Sequence, residues 1–125
     1  MEPVGTITAV GIAEQVRSAL NAADLAEMEA LLSPDVRWGP PDDPNTGCHN
    51  RSQVMKWYRR GREAGVRATV TELSVHGNKI LVGLNVSRPD GIADRWQVLT
   101  VGPSGVNDIR GFEARADALE RAGNG

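Results

Sequence analysis

The stretch ALNAADLAEMEALLSPDVRW, from Ala19 to Trp38, marks the end of one helix, a second short helix and the first strand. The letters NAAD interrupt the first helix. Asp24 is a favourable N-cap for the second, because its side chain can accept a hydrogen bond from a free backbone N–H. Ser33-Pro34 ends that helix, since proline disfavours the helical conformation in the residue before it. Val36 to Trp38 predicts a short strand, which a loop of prolines and aspartates follows.

The rest of the chain separates into helices before Gly65 and strands after it. Apolar residues between about Thr6 and Leu20 predict a first helix, and RSQVMKWYRRGREAG predicts a third that Gly65 ends. Four apolar or alternating segments follow, separated by the turn sequences HGNK, RPDG and GPSG, which indicate an antiparallel meander. Ala114 to Ala122 has the pattern of a short closing helix. This order predicts an α+β fold with the helices gathered on one side of a curved antiparallel sheet.

Composition and charge exclude several classes of protein. The 125 residues predict one domain, 1–125, and the net charge of -2 gives no basis for nucleic-acid binding. No apolar run reaches the roughly 20 residues of a membrane span, and no basic leader precedes the first helix. Cys48 is the only cysteine and fits a reducing compartment, so we expect a soluble cytoplasmic protein. Neither metal-ligand spacing nor a phosphate-binding glycine loop occurs, so we expect no metal and no cofactor.

Three stretches together resemble the nuclear transport factor 2-like superfamily, which includes ketosteroid isomerases, limonene epoxide hydrolases and SnoaL-like polyketide cyclases. The first is Ala19 to Trp38. The second is GCHNRSQVMKWY, where Asn50 replaces a usual glycine, and the third is RWQVLTVGPSGVNDIRGF, where the turn is altered. The resemblance implies a cone: a strongly bent antiparallel sheet wrapped around three helices of the N-terminal half. It also implies an apolar pocket at the open end and a homodimer packed through the outer sheet face.

The catalytic groups of a ketosteroid isomerase are missing from the matching positions. The resemblance places Val16 at the position of the oxyanion-hole tyrosine, Pro40 at that of the proton-shuttling aspartate and Trp96 at that of the buried acid. Isomerisation by that mechanism is therefore excluded.

An epoxide hydrolase of this superfamily needs an Asp-Arg-Asp network, and the chain offers Asp94 and Arg95. Neighbours on a strand point to opposite faces, so if Trp96 faces the pocket, Asp94 does too and Arg95 lies outside. A register shifted by one residue reverses this arrangement. The same pairing makes Ile109 and Glu113 inward, which leaves an Asp94/Glu113 pair with no arginine between its members and disfavours a hydrolase.

A SnoaL-like cyclase needs only one acid/base residue in a shaped pocket, and His49 or Asp94 is expected to serve. Cys48 beside His49 is interpreted as structural, because adjacent residues seldom form a thiolate–imidazole pair. The predicted partner is a small apolar molecule, such as a polyketide or terpenoid. The residues predicted to line its pocket are Trp38, Pro40, Tyr58, Trp96, Val16, Ile109 and Glu113.

Two functions stay open at this point. One is a cyclase or isomerase acting by general acid/base catalysis, and the other is a non-catalytic ligand-binding or protein-interaction domain. An ionisable group in the cavity beside a polar partner favours the enzyme. The predicted homodimer draws further support from Leu99 and Val101, which are apolar at positions assigned to the outer sheet face.

Overall fold

The computed structural model describes residues 9–40 and 47–123, so the start of the predicted first helix and most of the proline-rich loop lie outside it. Within these described residues, four helices and five strands follow one another, in an α+β arrangement as predicted. In chain order they are α1 (Ala9–Ala22), α2 (Leu25–Leu31), β1 (Leu32–Gly39), α3 (Arg51–Glu63), β2 (Arg67–His76), β3 (Lys79–Arg88), β4 (Gly91–Gly102), β5 (Gly105–Phe112) and α4 (Arg115–Gly123).

The predicted helix boundaries rest on capping side chains. The Asp24 side chain accepts a hydrogen bond from the backbone N–H of Glu27 at 3.0 Å, so the predicted N-cap of α2 is confirmed. Asn50 caps α3 in the same way, with Gln53 as the donor at 2.9 Å. Helix α2 ends at Leu31, before the predicted proline signal, and β1 begins at once. The strand is longer than the three residues predicted.

The five strands form one sheet in the order β1-β5-β4-β3-β2. Strands β2 to β5 are a meander of antiparallel neighbours, as predicted. The predicted antiparallel sheet has one exception, because β1 pairs with β5 in parallel. Parallel neighbours need a long connection, and α3 with three strands supplies it here. The pairing shifts between Val70 and Glu72 and between Thr100 and Val101; such bulges bend strands and so help to curl the sheet.

The inner face of the sheet carries the main core. Cross-strand partners share a face, and the pairs Ile80–Leu99 and Leu99–Ile109 place these three buried side chains together. They belong to the apolar cluster that includes the buried faces of α1, α2 and α3. Burial of this apolar surface supplies the main force for folding.

The outer face carries a second, smaller cluster. Ala118 and Ala122 of α4 pack there against Leu81 and Val98. The assignment of Leu99 and Val101 to the outer face is wrong, because both are buried in the inner core. The homodimer stays a prediction without that support. Among the described residues, no helix combines the length and apolar character needed to cross a bilayer.

Candidate functional site

A cavity of about 510 Å³ opens between the inner face of the sheet, the end of β1 and helix α3. We call it the main cavity. Apolar residues from α3 and from each of β1 to β5 form most of its walls, and polar side chains enter from β3, from β4 and from the segment after β5. The lining residues are Trp38, Gly39, Gly47, Cys48, Trp57, Val66, Ala68, Leu84, Val86, Arg88, Arg95, Trp96, Gln97, Gly111, Phe112 and Glu113.

Strand register directs two polar side chains of β4 into this cavity. Arg95 pairs with Leu84 and Gln97 pairs with Val82, and both partners belong to the inner core. Arg95 Nη1 lies 3.3 Å from Glu113 Oε1. The side chain of Arg95 is 42% exposed and that of Glu113 is 88% exposed, so their ion pair lies toward the mouth. Gln97 lies one inner-face position deeper.

An aromatic corner forms the opposite wall. Trp38 pairs with the inward residue Ile109, and its ring meets Tyr58 at 5.0 Å between centroids and Trp57 edge-on at 6.4 Å. Two backbone hydrogen bonds to Cys48, of 3.0 and 2.8 Å, hold Trp38 in place. Gly47 precedes Cys48 and has a φ of +99°. A Cβ atom at Gly47 would collide with the Trp38 carbonyl oxygen.

Two weakly acidic groups lie in this corner. Burial raises the pKa of the Tyr58 hydroxyl, and the neighbouring Cys48 raises it further. Burial also raises the pKa of the Cys48 thiol. Both groups are therefore protonated at neutral pH, and Cys48 is a poor nucleophile because the thiolate is the reactive form. The Tyr58 hydroxyl is buried without a hydrogen-bond partner among the described residues.

A second cavity, of about 330 Å³, lies between the α1–α2 turn, α3 and the start of β2. Tyr58 lines this second cavity rather than the main one. Trp57, Val66 and Ala68 line both, so the two spaces share a wall. Trp57 is 58% exposed, which is unusual for so large an apolar side chain.

The predicted pocket residues separate into three groups. Trp38 and Glu113 line the main cavity, and Tyr58 lines the second. Val16 and Ile109 are completely buried in the core and line neither cavity, because helices α1 to α3 close over that part of the sheet.

The directions predicted for Asp94 and Trp96 are wrong. Asp94 pairs with Asn85 on the outer face, where Asn85 Nδ2 donates to it at 3.3 Å. Trp96 contributes to the wall of the main cavity, but its ring lies over Gly83 on the outer face. There the Arg115 guanidinium of α4 is 5.9 Å from the ring centroid. The one-residue alternative in register is the one that the chain adopts.

His49 and Pro40 lie near the mouth but line neither cavity. His49 is exposed at the surface, and its backbone N–H donates to the Gln53 side chain at 2.7 Å. The Pro40 carbonyl accepts a hydrogen bond of 3.0 Å from Arg110. Arg110 is 8% exposed and also donates to the Asp108 carboxylate, so it anchors this edge of the mouth.

Sequence reasoning missed Gln97 and Arg88 as cavity residues and placed Arg95 inside only under the register shifted by one residue. Correct alternation would have found all three, since the inward set of β3 contains Leu84, Val86 and then Arg88. Among the residues that the structure describes, no group of three or more His, Cys, Asp or Glu side chains could hold a metal ion.

Comparison with known proteins agrees with this fold. The family model for a SnoaL-like domain matches residues 13–105. No curated protein matches the chain. A structure from Kribbella flavida, whose proposed activity is ketosteroid isomerase, is 22% identical with a TM-score of 0.73 over 86% of this chain and 78% of that one.

Two further structures are similar over most of both chains. A proposed polyketide cyclase from Sinorhizobium meliloti is 17% identical, with a TM-score of 0.66 over 85% of this chain and all of that one. SalBIII, an epoxide hydrolase/cyclase-like enzyme with a role in pyran ring formation in polyether salinomycin, is 16% identical. Its TM-score is 0.69 over 87% of this chain and 92% of its own. At these identities the likeness shows the fold alone.

Proposed function

We propose that this chain, which belongs to the SnoaL-like domain family, binds a small apolar molecule in the main cavity. It acts on that molecule by general acid–base chemistry of the cyclase or isomerase kind. One observation carries the proposal. The mostly apolar walls of the cavity converge on a guanidinium, an amide and a carboxylate that adjacent strands hold together. Ligand sites commonly combine apolar walls with a few placed polar groups.

The polar groups follow one another from the mouth inward. Glu113 and Arg95 pair near the mouth, and Gln97 lies deeper, between its cross-strand partners Val82 and Gly111. A carbonyl group of the substrate would accept a hydrogen bond from the Gln97 amide. Glu113 would remove a proton from the adjacent carbon, and the resulting enolate would be stabilised by the positive charge of Arg95.

Ring closure follows from the same arrangement. The enolate carbon attacks a second carbonyl carbon of the folded substrate, forming a carbon–carbon bond, and the new alkoxide takes the proton from Glu113. The reaction needs no external oxidant or reductant. Apolar walls that hold the substrate folded bring its two reacting carbons together. Such proximity gives a large increase in the rate of intramolecular reactions. Glu113 takes the acid/base role first assigned to Asp94, whose side chain lies on the outer face.

A second candidate is a non-catalytic binding domain of the same fold. It is favoured by the exposure of Glu113, since a carboxylate so open to water lacks the burial that usually tunes a catalytic acid. The two candidates share the ligand and differ only in turnover.

Tryptophan fluorescence tests binding first. The protein is titrated with steroids, aromatic polyketides, terpene epoxides and fatty acids. Trp38→Phe and Trp57→Phe together should remove most of a ligand-induced change, because both side chains line the main cavity. Trp96→Phe is the matched control and should keep the change, because its ring is on the outer face. Loss of the signal with Trp96→Phe alone would contradict the assigned site.

Mass spectrometry of the bound compound then tests turnover. Glu113→Gln should abolish conversion while leaving the dissociation constant within a few-fold. Conversion that survives this change would exclude Glu113 as the base, and binding without any conversion by the native protein would favour the non-catalytic candidate.

A further inference from the structure

The described residues that line the main cavity carry more positive than negative charge, in contrast to the chain as a whole. The formal net charge of the protein is -2. Of the described residues that line the main cavity, Arg88 and Arg95 are cationic and Glu113 alone is a carboxylate. Acidic side chains predominate in the sequence but not among these described lining residues, so their positive charge is a local feature.

The two arginines lie along one path into the cavity. Leu84, Val86 and Arg88 alternate onto the inner face of β3, and Arg95 lies opposite Leu84 on β4. Four residues of strand correspond to about 13 Å, so Arg88 lies at the rim and Arg95 farther in. The cross-strand partner of Arg88 is Gly91, which has no side chain to cover it.

The guanidinium groups of Arg88 and Arg95 have N–H donors available to bind an anion. Arg88 forms no ion pair within the described part of the chain. Arg95 contacts one carboxylate, Glu113, through Nη1 at 3.3 Å. An exposed pair of this kind contributes little to stability, so an incoming anion can share or displace it. Arginine binds carboxylates especially well because its planar fork offers parallel N–H donors.

We propose that the ligand of the main cavity is an organic acid: a carboxylate joined to an apolar body. Arg88 holds the carboxylate at the rim, Arg95 adds attraction along the path, and the apolar body lies against Trp38, Trp57 and Val86. The inference rests on the proposed function and adds the class of substrate. It leaves Gln97, which lies deeper in the cavity, and Glu113, which pairs with Arg95 near the mouth, to the reacting part of the molecule.

The test compares decanoate with methyl decanoate, which has a similar apolar body and no charge. Binding is followed by tryptophan fluorescence at low and at physiological ionic strength. We expect the acid to bind about fivefold more tightly than the ester. This preference should weaken as salt rises, because salt screens exposed charges.

Two charge-matched variants locate the effect. Arg88→Gln should reduce the preference for the acid to about twofold and leave ester binding unchanged. Arg59→Gln removes one positive charge from α3, outside both cavities, and should change neither affinity. Since both substitutions are at exposed positions, folding should be intact, which circular dichroism checks.

Each other result overturns the inference. Equal binding of acid and ester would reject the carboxylate while leaving the cavity and the proposed function in place. An acid preference that Arg88→Gln does not reduce, or that Arg59→Gln reduces equally, would place the anion elsewhere. If neither compound binds, the organic-acid class is rejected, and the steroid, polyketide and epoxide titrations decide separately on the proposed function.

Discussion

Gly83→Ala is the sharpest test of the strand register that defines the cavity. Gly83 pairs with Trp96, and the indole ring lies directly on the glycine. A Cβ atom added at Gly83 would collide with Cζ3 of that ring. It would also lie 3.0 Å from Cε3 and 3.1 Å from the Cβ of Glu72, which is tighter than ordinary packing.

The expected cost follows from two opposing effects. Overpacking by one methyl group typically costs about 1–3 kcal/mol. Replacing glycine by alanine also stabilises by about 0.4–1 kcal/mol through the unfolded chain. The net destabilisation should therefore lie between about 0 and about 2.6 kcal/mol. It should also disturb the contact of Trp96 with Arg115, and hence the docking of α4.

Urea unfolding followed by circular dichroism measures the effect, with Gly111→Ala as the control. Gly111 is also a strand glycine, but a Cβ atom there meets nothing within 4 Å. The control should therefore be neutral or slightly stabilising. The difference between the variants removes the unfolded-state term common to both.

A double-mutant cycle identifies the colliding partner. In a Trp96→Leu background the ring is gone, so Gly83→Ala should cost at least 1 kcal/mol less, using the usual scale of overpacking. Equal stability of Gly83→Ala and Gly111→Ala would refute the outward placement of Trp96. Arg95 and Gln97 would then lose their place in the cavity.

Three further substitutions test other parts of the molecule by urea unfolding. Arg110→Met should cost about 2–3 kcal/mol, because it leaves the Asp108 carboxylate and a carbonyl without their donor; a cost below about 0.5 kcal/mol would show that this network contributes nothing. Tyr58→Phe should be neutral or stabilise by up to about 1 kcal/mol, since it removes a buried hydroxyl with no partner among the described residues; a loss of more than 1 kcal/mol would reveal a hydrogen bond. Glu72→Gln tests pH dependence, because two hydrogen bonds from Arg115 lower the pKa of Glu72 below its unfolded value. The pair therefore stabilises above the ordinary glutamate pKa of about 4.3 and loses its effect as the pH falls through the lower folded value. The difference between native protein and variant should shrink from pH 7 to pH 3, and a constant difference would contradict the pairing.

Local signals in the sequence located most of the elements. The predicted cap Asp24 forms in the structure because a short polar side chain next to a helix start satisfies free N–H groups whatever the rest of the fold does. Asn50, which was not predicted as a cap, acts in the same way at α3. Glycines and prolines between apolar segments separated the four strands of the meander for a similar reason. The parallel pairing of β1 with β5 could not be predicted in this way, since it joins residues more than 60 positions apart.

The membership of the candidate site depended on which face of β4 points inward, and the residue types of β4 do not indicate this. One alternating set contains Trp96 and Val98, and the other contains Leu99 and Val101, so both faces of the strand look apolar. Helix α4 is the cause, because it covers part of the outer face and removes the usual contrast between a wet and a dry side. A one-residue error in the predicted alternation of β4 then placed Asp94 in the cavity instead of Arg95.

The sequence by itself therefore determined the order of the elements, since this follows from local caps, turns and periodicity. Its resemblance to a known superfamily implied a cavity at the open end of the sheet. Only the tertiary structure decided which side chains enter that cavity. Their direction depends on cross-strand partners such as Leu84 and Gly83 and on the helix packed behind the sheet. No short-range pattern records those contacts, because they form between segments that are distant along the chain.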